Sequence, residues 1–336
     1  MKSVLKLAGW ALLIVGVLAI IGFVTMTRAD IPYATLQAQY GDASDRYLDL
    51  PNGVHLHYRD QGNQAGEALV LVHGFAASLY DWQDWVARLS GRYRVISLDL
   101  PGHGLTEAPK GYRPRMDDMV GVVDALTTKL GVKHFVLAGN SMGGGVAWNY
   151  ALRHQDKLDG LVLVDSTPPP YLPLPNAGKK KIKEQKGNVI IFNLLRVPIL
   201  RGILTHVDLT PLIRQGLDSA FVNHDLVTPA LVRRYGDFSR APGHRAILLA
   251  LQDEPKPDPV AVNAALGRLT VPTLVMHGRS DNVIIWWQGG RMAKAIPNST
   301  LIYYPSVGHV PMEQIPDKSA ADLEGWIQTK SLAAKH

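Results

Sequence analysis

The chain has 336 residues, of which 46% are hydrophobic and 19% charged, a composition that indicates a folded globular protein and excludes a disordered one. It contains no cysteine, which excludes disulfides, thiolate zinc sites and a cysteine nucleophile. The formal net charge is +6, but no nucleic-acid-binding motif accompanies it, so we expect no polynucleotide partner.

The first residues differ in composition from the rest of the chain. No charged residue occurs from Leu7 to Met26, and a helix of that length spans about 30 Å, the thickness of a bilayer core. A cleaved signal peptide has a shorter apolar stretch and ends at a small-residue site, for which Thr27-Arg28-Ala29 is a poor match. The sequence therefore predicts an uncleaved membrane anchor over residues 1–28 and a tether over residues 29–45.

The distribution of basic residues predicts the orientation of this anchor. Lys2 and Lys6 precede the apolar segment and Arg28 follows it, so the positive-inside rule favours a cytoplasmic N-terminus. The remainder of the chain would then lie on the non-cytoplasmic side, which in a bacterium is the periplasm. A lysine-rich segment at residues 179–186 is either a solvated surface or a patch facing anionic lipid headgroups.

Apolar runs rich in Val, Leu and Ile recur after the tether, with helical patterns between them. The runs are ALVLVHG, YRVISLDLPGHG, HFVLAGN, GLVLVDS and PTLVMHG. Such runs are typical of parallel strands buried on both faces, and their alternation with helices predicts a doubly wound, mostly parallel α/β fold. Helical patterns without a strand between them predict a helical cap over residues 167–262, inserted between the core segments 46–166 and 263–336. Within the cap, the apolar stretch 188–207 is either packed interior or the lining of an acyl pocket.

The motif Gly139-Asn140-Ser141-Met142-Gly143 lies directly between a predicted strand and a predicted helix. In that context G-x-S-x-G indicates a nucleophile elbow, a tight turn that holds the serine in a strained conformation above the sheet. A serine hydroxyl needs a base to become a nucleophile, and His309, in a loop after the last apolar run, is the candidate. Asp281, after the PTLVMHG run, is the expected orienting acid, and Asp165, after GLVLVDS, is its rival.

An oxyanion that develops on the substrate needs two N–H donors. The backbone N–H of Met142, directly after the nucleophile, and that of Phe75, after the first central strand, are the expected pair. We expect His73 to brace the loop that carries Phe75 and His103 to be structural.

In order along the chain, H-G-F, D-L-P-G-H-G, G-N-S-M-G-G, H-G-R-S-D and G-H-V-P-M-E resemble the motifs of the α/β-hydrolase superfamily. The resemblance covers residues 46–330 and implies a catalytic triad of Ser141, His309 and Asp281 that needs no metal or cofactor. The nearest type is the membrane-anchored esterase or lipase similar to monoacylglycerol lipases. The string G-N-S-M-G-G also occurs in C–C bond hydrolases of ring-fission products, but their G-x-G-P-G-type loop is replaced here by HGFAASLYDW. Haloalkane dehalogenases and epoxide hydrolases use an aspartate nucleophile, which Ser141 argues against.

The resemblance implies two-step hydrolysis of carboxylic esters, with lipid-like or apolar acyl esters as the substrate class. Two alternatives remain open at this point: a C–C bond hydrolase on the same triad, and a non-enzymatic, membrane-tethered binding module. The sequence does not indicate the oligomeric state.

Overall fold

The structure, a computed structural model, describes residues 22–170, 202–253 and 257–333, together with residues 10, 13, 14, 16 and 17. Over these ranges eight strands form one sheet: β1 (Asp45–Asp49), β2 (His55–Gly62), β3 (Ala68–Val72), β4 (Arg94–Leu98), β5 (Phe135–Asn140), β6 (Leu158–Val164), β7 (Thr273–Gly278) and β8 (Ser299–Tyr304).

The α-helices of the described ranges connect these strands and form the cap. They are α1 (Tyr33–Tyr40), α2 (Gln83–Leu89), α3 (Met116–Lys129), α4 (Met142–His154), α5 (Thr210–Ala220), α6 (Pro229–Ser239), α7 (His244–Ala250), α8 (Pro259–Leu266), α9 (Trp287–Ala295), α10 (Pro311–Gln314) and α11 (Pro316–Ala333). Helices α5 to α8 all lie between β6 and β7, where the sequence predicts the cap.

The strand order is β1-β2-β4-β3-β5-β6-β7-β8. Strand β2 is antiparallel to both β1 and β4, and the remaining neighbours are parallel. The predicted α/β fold with a mostly parallel sheet is therefore confirmed. The chain reverses its direction across the sheet between β3 and β5, and in folds of this kind ligands bind beyond the carboxyl ends of the strands at that point.

Central strands are buried on both faces, which explains their uninterrupted apolar sequence. In β3, Val70 and Val72 pack on one face, with α3 and α4, whereas Leu69 and Leu71 pack on the other, with α2 and α11. Successive side chains of a strand point to opposite faces, so a strand between two helical layers needs apolar residues at every position.

Residues that the sequence predicts as a tether are folded against the cap. Leu36 of α1 is completely buried beside Phe238 of α6, and the carboxylate of Asp30 lies 2.6 Å from a guanidinium nitrogen of Arg245 in α7. Thr27 also pairs with Val207 in an antiparallel bridge. The segment predicted as a tether over residues 29–45 is therefore held on the cap, because a few long-range contacts fix a stretch that has little amphipathic pattern of its own.

Among the described residues, no helix combines the length and the apolar character needed to cross a bilayer. Much of the predicted anchor lies outside the described residues, as do the lysine-rich segment and residues 188–201 of the apolar cap stretch. The membrane anchor therefore stays a prediction from sequence.

Gly143, in the first turn of α4, is in close contact with the end of β3. A Cβ atom at this position would overlap the carbonyl oxygens of Val72 and His73, and backbone atoms of a central strand cannot move away easily. We expect Gly143→Ala to lower the free energy of unfolding by about 3 kcal/mol or more, measured by denaturant titration.

Gly145, two residues further along α4, is the matched control. A Cβ atom there would lie 3.7 Å from Cβ of Thr167, which is an ordinary contact. Because alanine favours a helix over glycine by up to about 1 kcal/mol, Gly145→Ala should be neutral or stabilising. Equal losses in both variants would contradict the close-packing argument.

The buried imidazole of His57 joins the edge of the sheet to the loop after β4. Its Nδ1 lies 2.7 Å from Oδ2 of Asp99, and its Nε2 lies 3.0 Å from Oδ1 of Asp45. The carboxylate of Asp99 also accepts hydrogen bonds from the N–H groups of Leu79 and Leu105. Through the N–H group of Leu79, this ion-pair network therefore fixes the residues that directly follow the loop of Phe75.

Burial by itself would lower the pKa of His57, but its interactions with Asp45 and Asp99 outweigh burial and raise that pKa to about 9. The folded protein therefore holds a proton that the unfolded chain, with a histidine pKa of about 6.5, releases more easily. This contribution to stability is complete below pH 6.5 and is lost as the pH rises through 9, with a magnitude on the order of 3 kcal/mol.

We expect the free energy of unfolding to fall between pH 6.5 and 9.5, and His57→Gln to remove most of that dependence. His55→Gln is the control, since His55 lies on the same strand but its side chain, beside Asp49, is 40% exposed. Denaturant titrations of both variants at five pH values would test this, and a His57→Gln profile parallel to that of His55→Gln would contradict it.

Candidate active site

Ser141 lies in the tight turn between β5 and α4. Its backbone has φ 52° and ψ −117°, a conformation that non-glycine residues rarely adopt. Three backbone hydrogen bonds hold it there: its N–H donates to Val164, and its carbonyl oxygen accepts from Gly145 and Thr167. The turn thus has the strained geometry expected for a nucleophile elbow.

The loop after β3 lies directly beside this turn. A Cβ atom on Gly74 would be 3.2 Å from Cβ of Ser141, so the chain at Phe75 passes close to the serine. His73, fully buried, braces this loop as expected, since its Nε2 accepts from Leu100 N–H and its Nδ1 lies 2.7 Å from the carbonyl oxygen of Gly74. Met142 is the first residue of α4, where an N–H has no acceptor within its own helix.

His309 lies in the loop between β8 and α10 and is held through its backbone. Its N–H donates to the carbonyl oxygen of Ala220 at 2.7 Å, and its carbonyl oxygen accepts from the side-chain amide of Asn140 at 3.0 Å. Ala220 is the last residue of the cap helix α5, so the cap contacts the loop of the candidate base directly.

The side chain of His309 hydrogen bonds to Asp281, with 2.7 Å between Nδ1 and Oδ2. The other oxygen of Asp281 accepts from the N–H groups of Val283 and Ile284, which fixes the carboxylate in the loop after β7. Burial would raise the pKa of Asp281, but the neighbouring His309 and His277 outweigh burial and hold that pKa below its usual range. An ionised Asp281 keeps the proton of the imidazole on Nδ1, which leaves Nε2 as the basic nitrogen.

Asp165, the rival acid in the sequence, is close by but bonded differently. Its Oδ1 accepts from Gly278 N–H at 2.8 Å, and a carboxylate oxygen lies within 4.8 Å of the polar atoms of Asp281 and His309. Complete burial and the charge of Asp281 raise the pKa of Asp165 well above its usual range, although His277 opposes this. These three side chains also offer donor atoms for a metal ion, but the 2.7 Å hydrogen bond already engages two of those atoms.

A cavity of about 130 Å³ opens beside Ser141 and His309. The cap helix α5 and the Phe75 loop supply most of its walls, which are largely apolar. The apolar side chains that line it include Phe75, Leu212, Ile213, Leu217, Phe221, Val283 and Val310. The site therefore combines a hydrogen-bonded acid–base pair, a strained serine and an apolar cavity in one place.

The profile of a family described as "alpha/beta hydrolase fold" matches residues 67–315, which is well over half of the chain. The chain belongs to the α/β-hydrolase fold family. The resemblance to α/β hydrolases in the sequence is thereby confirmed, and the protein is a hydrolase of this fold.

Among curated relatives of this α/β hydrolase, the 2-hydroxy-6-oxo-6-phenylhexa-2,4-dienoate hydrolase of Burkholderia cepacia is 27% identical over 272 residues. The match covers 77% of this chain and 86% of the relative. Among solved structures, a membrane phospholipase A described as a bacterial virulence factor has a TM-score of 0.71 and 24% identity, and the match covers 98% of this chain and 99% of that one. The esterase RhEst1 from Rhodococcus sp. ECU1013 has a TM-score of 0.68 and 24% identity, with 85% and 98% covered. At these identities the two structures support the shared fold.

Three further residues, which the sequence motifs do not mark as functional, contribute to this site of the α/β hydrolase. Asn140 holds the His309 loop, while Asp81 and Tyr235 bring a second polar group to the cavity. Asn140 lies inside the G-x-S-x-G motif, and its position next to Ser141 is a local signal of its role. Asp81 and Tyr235 are far apart in sequence, and no local pattern connects them.

Proposed function

We propose that Ser141, His309 and Asp281 form a catalytic triad that hydrolyses carboxylic esters through an acyl-enzyme. The observation that carries the proposal is the 2.7 Å hydrogen bond between His309 and the fixed carboxylate of Asp281, next to a strained serine at the mouth of an apolar cavity. The N–H groups of Phe75 and Met142 are the proposed donors to the oxyanion.

In the proposed reaction, Nε2 of His309 takes the proton of the Ser141 hydroxyl as the oxygen attacks the ester carbonyl. The oxyanion of the tetrahedral intermediate accepts hydrogen bonds from the two N–H groups, each worth about 10²–10³ in rate. His309 then gives its proton to the departing alcohol, and the acyl group stays on Ser141. Water, activated by the same imidazole, releases the carboxylic acid.

Hydrolysis of a C–C bond is the second candidate, because the curated relatives include dienoate hydrolases with 27% identity. A dienoate substrate carries a carboxylate, which is costly to bury without a cation. Among the described residues that line the cavity, none carries a permanent positive charge. The lack of a cation among these lining residues favours an uncharged ester over a dienoate as the substrate.

The apolar lining further supports esters with an apolar acyl chain. We infer that the substrate is drawn from or near a lipid surface, with residues 7–26 as the anchor that the sequence predicts. This inference requires activity to rise with acyl-chain length and with presentation in micelles. Equal rates on short soluble esters and on long micellar ones would contradict it.

A series of p-nitrophenyl esters from acetyl to palmitoyl tests the proposed function. The enzyme should be assayed with and without residues 1–21, because the chain from Met26 onward makes backbone hydrogen bonds to the cap. If no ester is cleaved while a fluorophosphonate still labels Ser141, hydrolysis of a C–C bond becomes the favoured function. If neither reaction occurs, the ester-hydrolase proposal is wrong and a binding module becomes the better account.

A further inference from the structure

The candidate site contains a second polar group that the proposed ester hydrolysis does not use. Tyr235 of cap helix α6 donates a hydrogen bond to Oδ1 of Asp81 at 2.9 Å, and both side chains line the same cavity as Ser141. Asp81 is only 1% exposed and Tyr235 9%. The other carboxylate oxygen of Asp81, Oδ2, is buried and has no hydrogen-bond partner among the described residues.

Two more buried polar atoms near this pair lack a partner within the described part of the chain. They are Nε of Arg234 and Oε1 of Glu313, and both side chains line an adjoining cavity of about 490 Å³. Phe221 borders both cavities. The carboxylate of Asp81 therefore lies in a polar cluster beside an otherwise apolar substrate cavity.

The stability of the fold does not account for this arrangement. A buried acceptor without a partner costs about 1–3 kcal/mol, and two apolar residues of the same shape would avoid that cost. A buried polar group that a fold keeps without a hydrogen-bond partner needs an explanation, and in a pocket with few polar groups a ligand that supplies the missing hydrogen bond is one.

We propose that Asp81 and Tyr235 form a subsite that binds a hydroxyl group of the substrate, which donates its proton to Oδ2 of Asp81. This inference rests on the proposed function, and it narrows the substrate to amphipathic esters that carry a hydroxyl group besides the scissile bond. The apolar part of such an ester would contact Leu212, Ile213 and Leu217, and its hydroxyl would satisfy the open acceptor.

The charges around the subsite favour a neutral hydroxyl over an ionic group. A carboxylate form of Asp81 would repel a second carboxylate, and the guanidinium of Arg234 already offsets that negative charge. Burial, opposed by Arg234, raises the pKa of Asp81 to about 7.

Two p-nitrophenyl phosphonates that differ only at the end of one chain, –CH₂OH against –CH₂CH₃, test the subsite. In each, the oxygen of Ser141 bonds to phosphorus and p-nitrophenolate leaves, so labelling does not depend on ester turnover. We expect the wild-type enzyme to react at least about 10-fold faster with the hydroxylated probe at one chain length, because a hydrogen bond to a charged group is worth that factor or more. A second pair of probes carries the same two end groups on the alkoxy chain that stays bound to phosphorus. It tests for a hydroxyl group on the alcohol side of the scissile ester bond.

The double variant Asp81→Leu/Tyr235→Phe removes both polar partners with little change in shape, and its ratio of labelling rates should fall to one or below. Tyr40→Phe is the matched control, because it removes another tyrosine–aspartate hydrogen bond, to Asp237 of the same helix, outside the cavity of Ser141, and it should keep the wild-type ratio. Circular dichroism and the melting temperature confirm that each variant is folded.

The wild-type ratio also decides the question without any variant. If the cavity had no hydrogen-bond partner for the hydroxyl group, that group would lose its hydrogen bonds to water on binding. The hydroxylated probe would then react more slowly than the probe that ends in a methyl group. Ratios of one or below in both series, or a double variant that keeps the preference, would overturn the subsite while leaving ester hydrolysis intact. If neither probe labels wild-type Ser141, the proposed function itself fails.

Discussion

Replacement of Ser141 by alanine should lower the turnover of the best p-nitrophenyl ester by about 10⁵-fold or more. In a protease with a serine–histidine–aspartate triad, removal of the nucleophile lowers kcat by about 10⁶-fold. The physical reason is that no other hydroxyl can occupy the strained turn between β5 and α4. Without the serine oxygen, the hydrogen-bonded pair of His309 and Asp281 has no nucleophile to activate. Initial rates and active-site titration with a fluorophosphonate measure the effect.

Ser166, just after β6, provides the matched control for this experiment. It is also buried, and its hydroxyl donates to the carbonyl oxygen of Thr167. Ser166→Ala should keep the rate within a few-fold and should still react with the fluorophosphonate. A Ser141→Ala enzyme that retains more than about one-hundredth of the rate would show that Ser141 is not the nucleophile.

Replacement of Asp281 by asparagine should lower kcat by about 10⁴-fold, the loss that such an exchange causes in a serine-protease triad. Asparagine can keep its oxygen on the N–H groups of Val283 and Ile284, so the loop after β7 should stay folded. Its NH₂ group then faces Nδ1 of His309 and forces the imidazole proton onto Nε2, the nitrogen that must act as the base. Activity measured from pH 6 to 10, together with the melting temperature, tests this expectation.

Asp165→Asn is the discriminating comparison, because Asp165 is the rival acid in the sequence. Asparagine would keep the hydrogen bond from Gly278 N–H, and Asp165 is already held toward its neutral form. We expect a loss of about 10-fold or less, far smaller than for Asp281→Asn. If the two variants lose activity equally, or Asp165→Asn loses more, the assignment of the acid to Asp281 is wrong.

The sequence predicts those parts of the fold and of the candidate site that depend on residues close together in the chain. The uninterrupted apolar run of β3 reveals a strand buried on both faces, and the glycines around Ser141 reveal a turn in which only glycine fits against Val72 and His73. The order of the motifs along the chain then predicts that Asp281 and His309 meet, since strands of a parallel sheet bring their carboxyl ends to one edge.

What the sequence does not predict depends on contacts between distant segments. The hydrogen bond between Tyr235 and Asp81 joins residues 154 positions apart, and the one between Asn140 and the His309 carbonyl joins residues 169 apart. Neither pair has a periodicity or a spacing that could reveal it. The same holds for residues 29–45, whose composition indicates a linker although Leu36 is completely buried.

The docked N-terminal segment determines how the catalytic domain is presented to whatever the preceding residues bind. Arg28 N–H donates to His206, Asp208 N–H donates to Met26, and Arg245 binds both the carbonyl oxygen of Arg28 and the carboxylate of Asp30. A loose linker would let the domain tumble and sample every orientation. Because these contacts remove that rotational freedom, the chain at Met26 leaves the domain at a fixed place on the cap, next to Asp208.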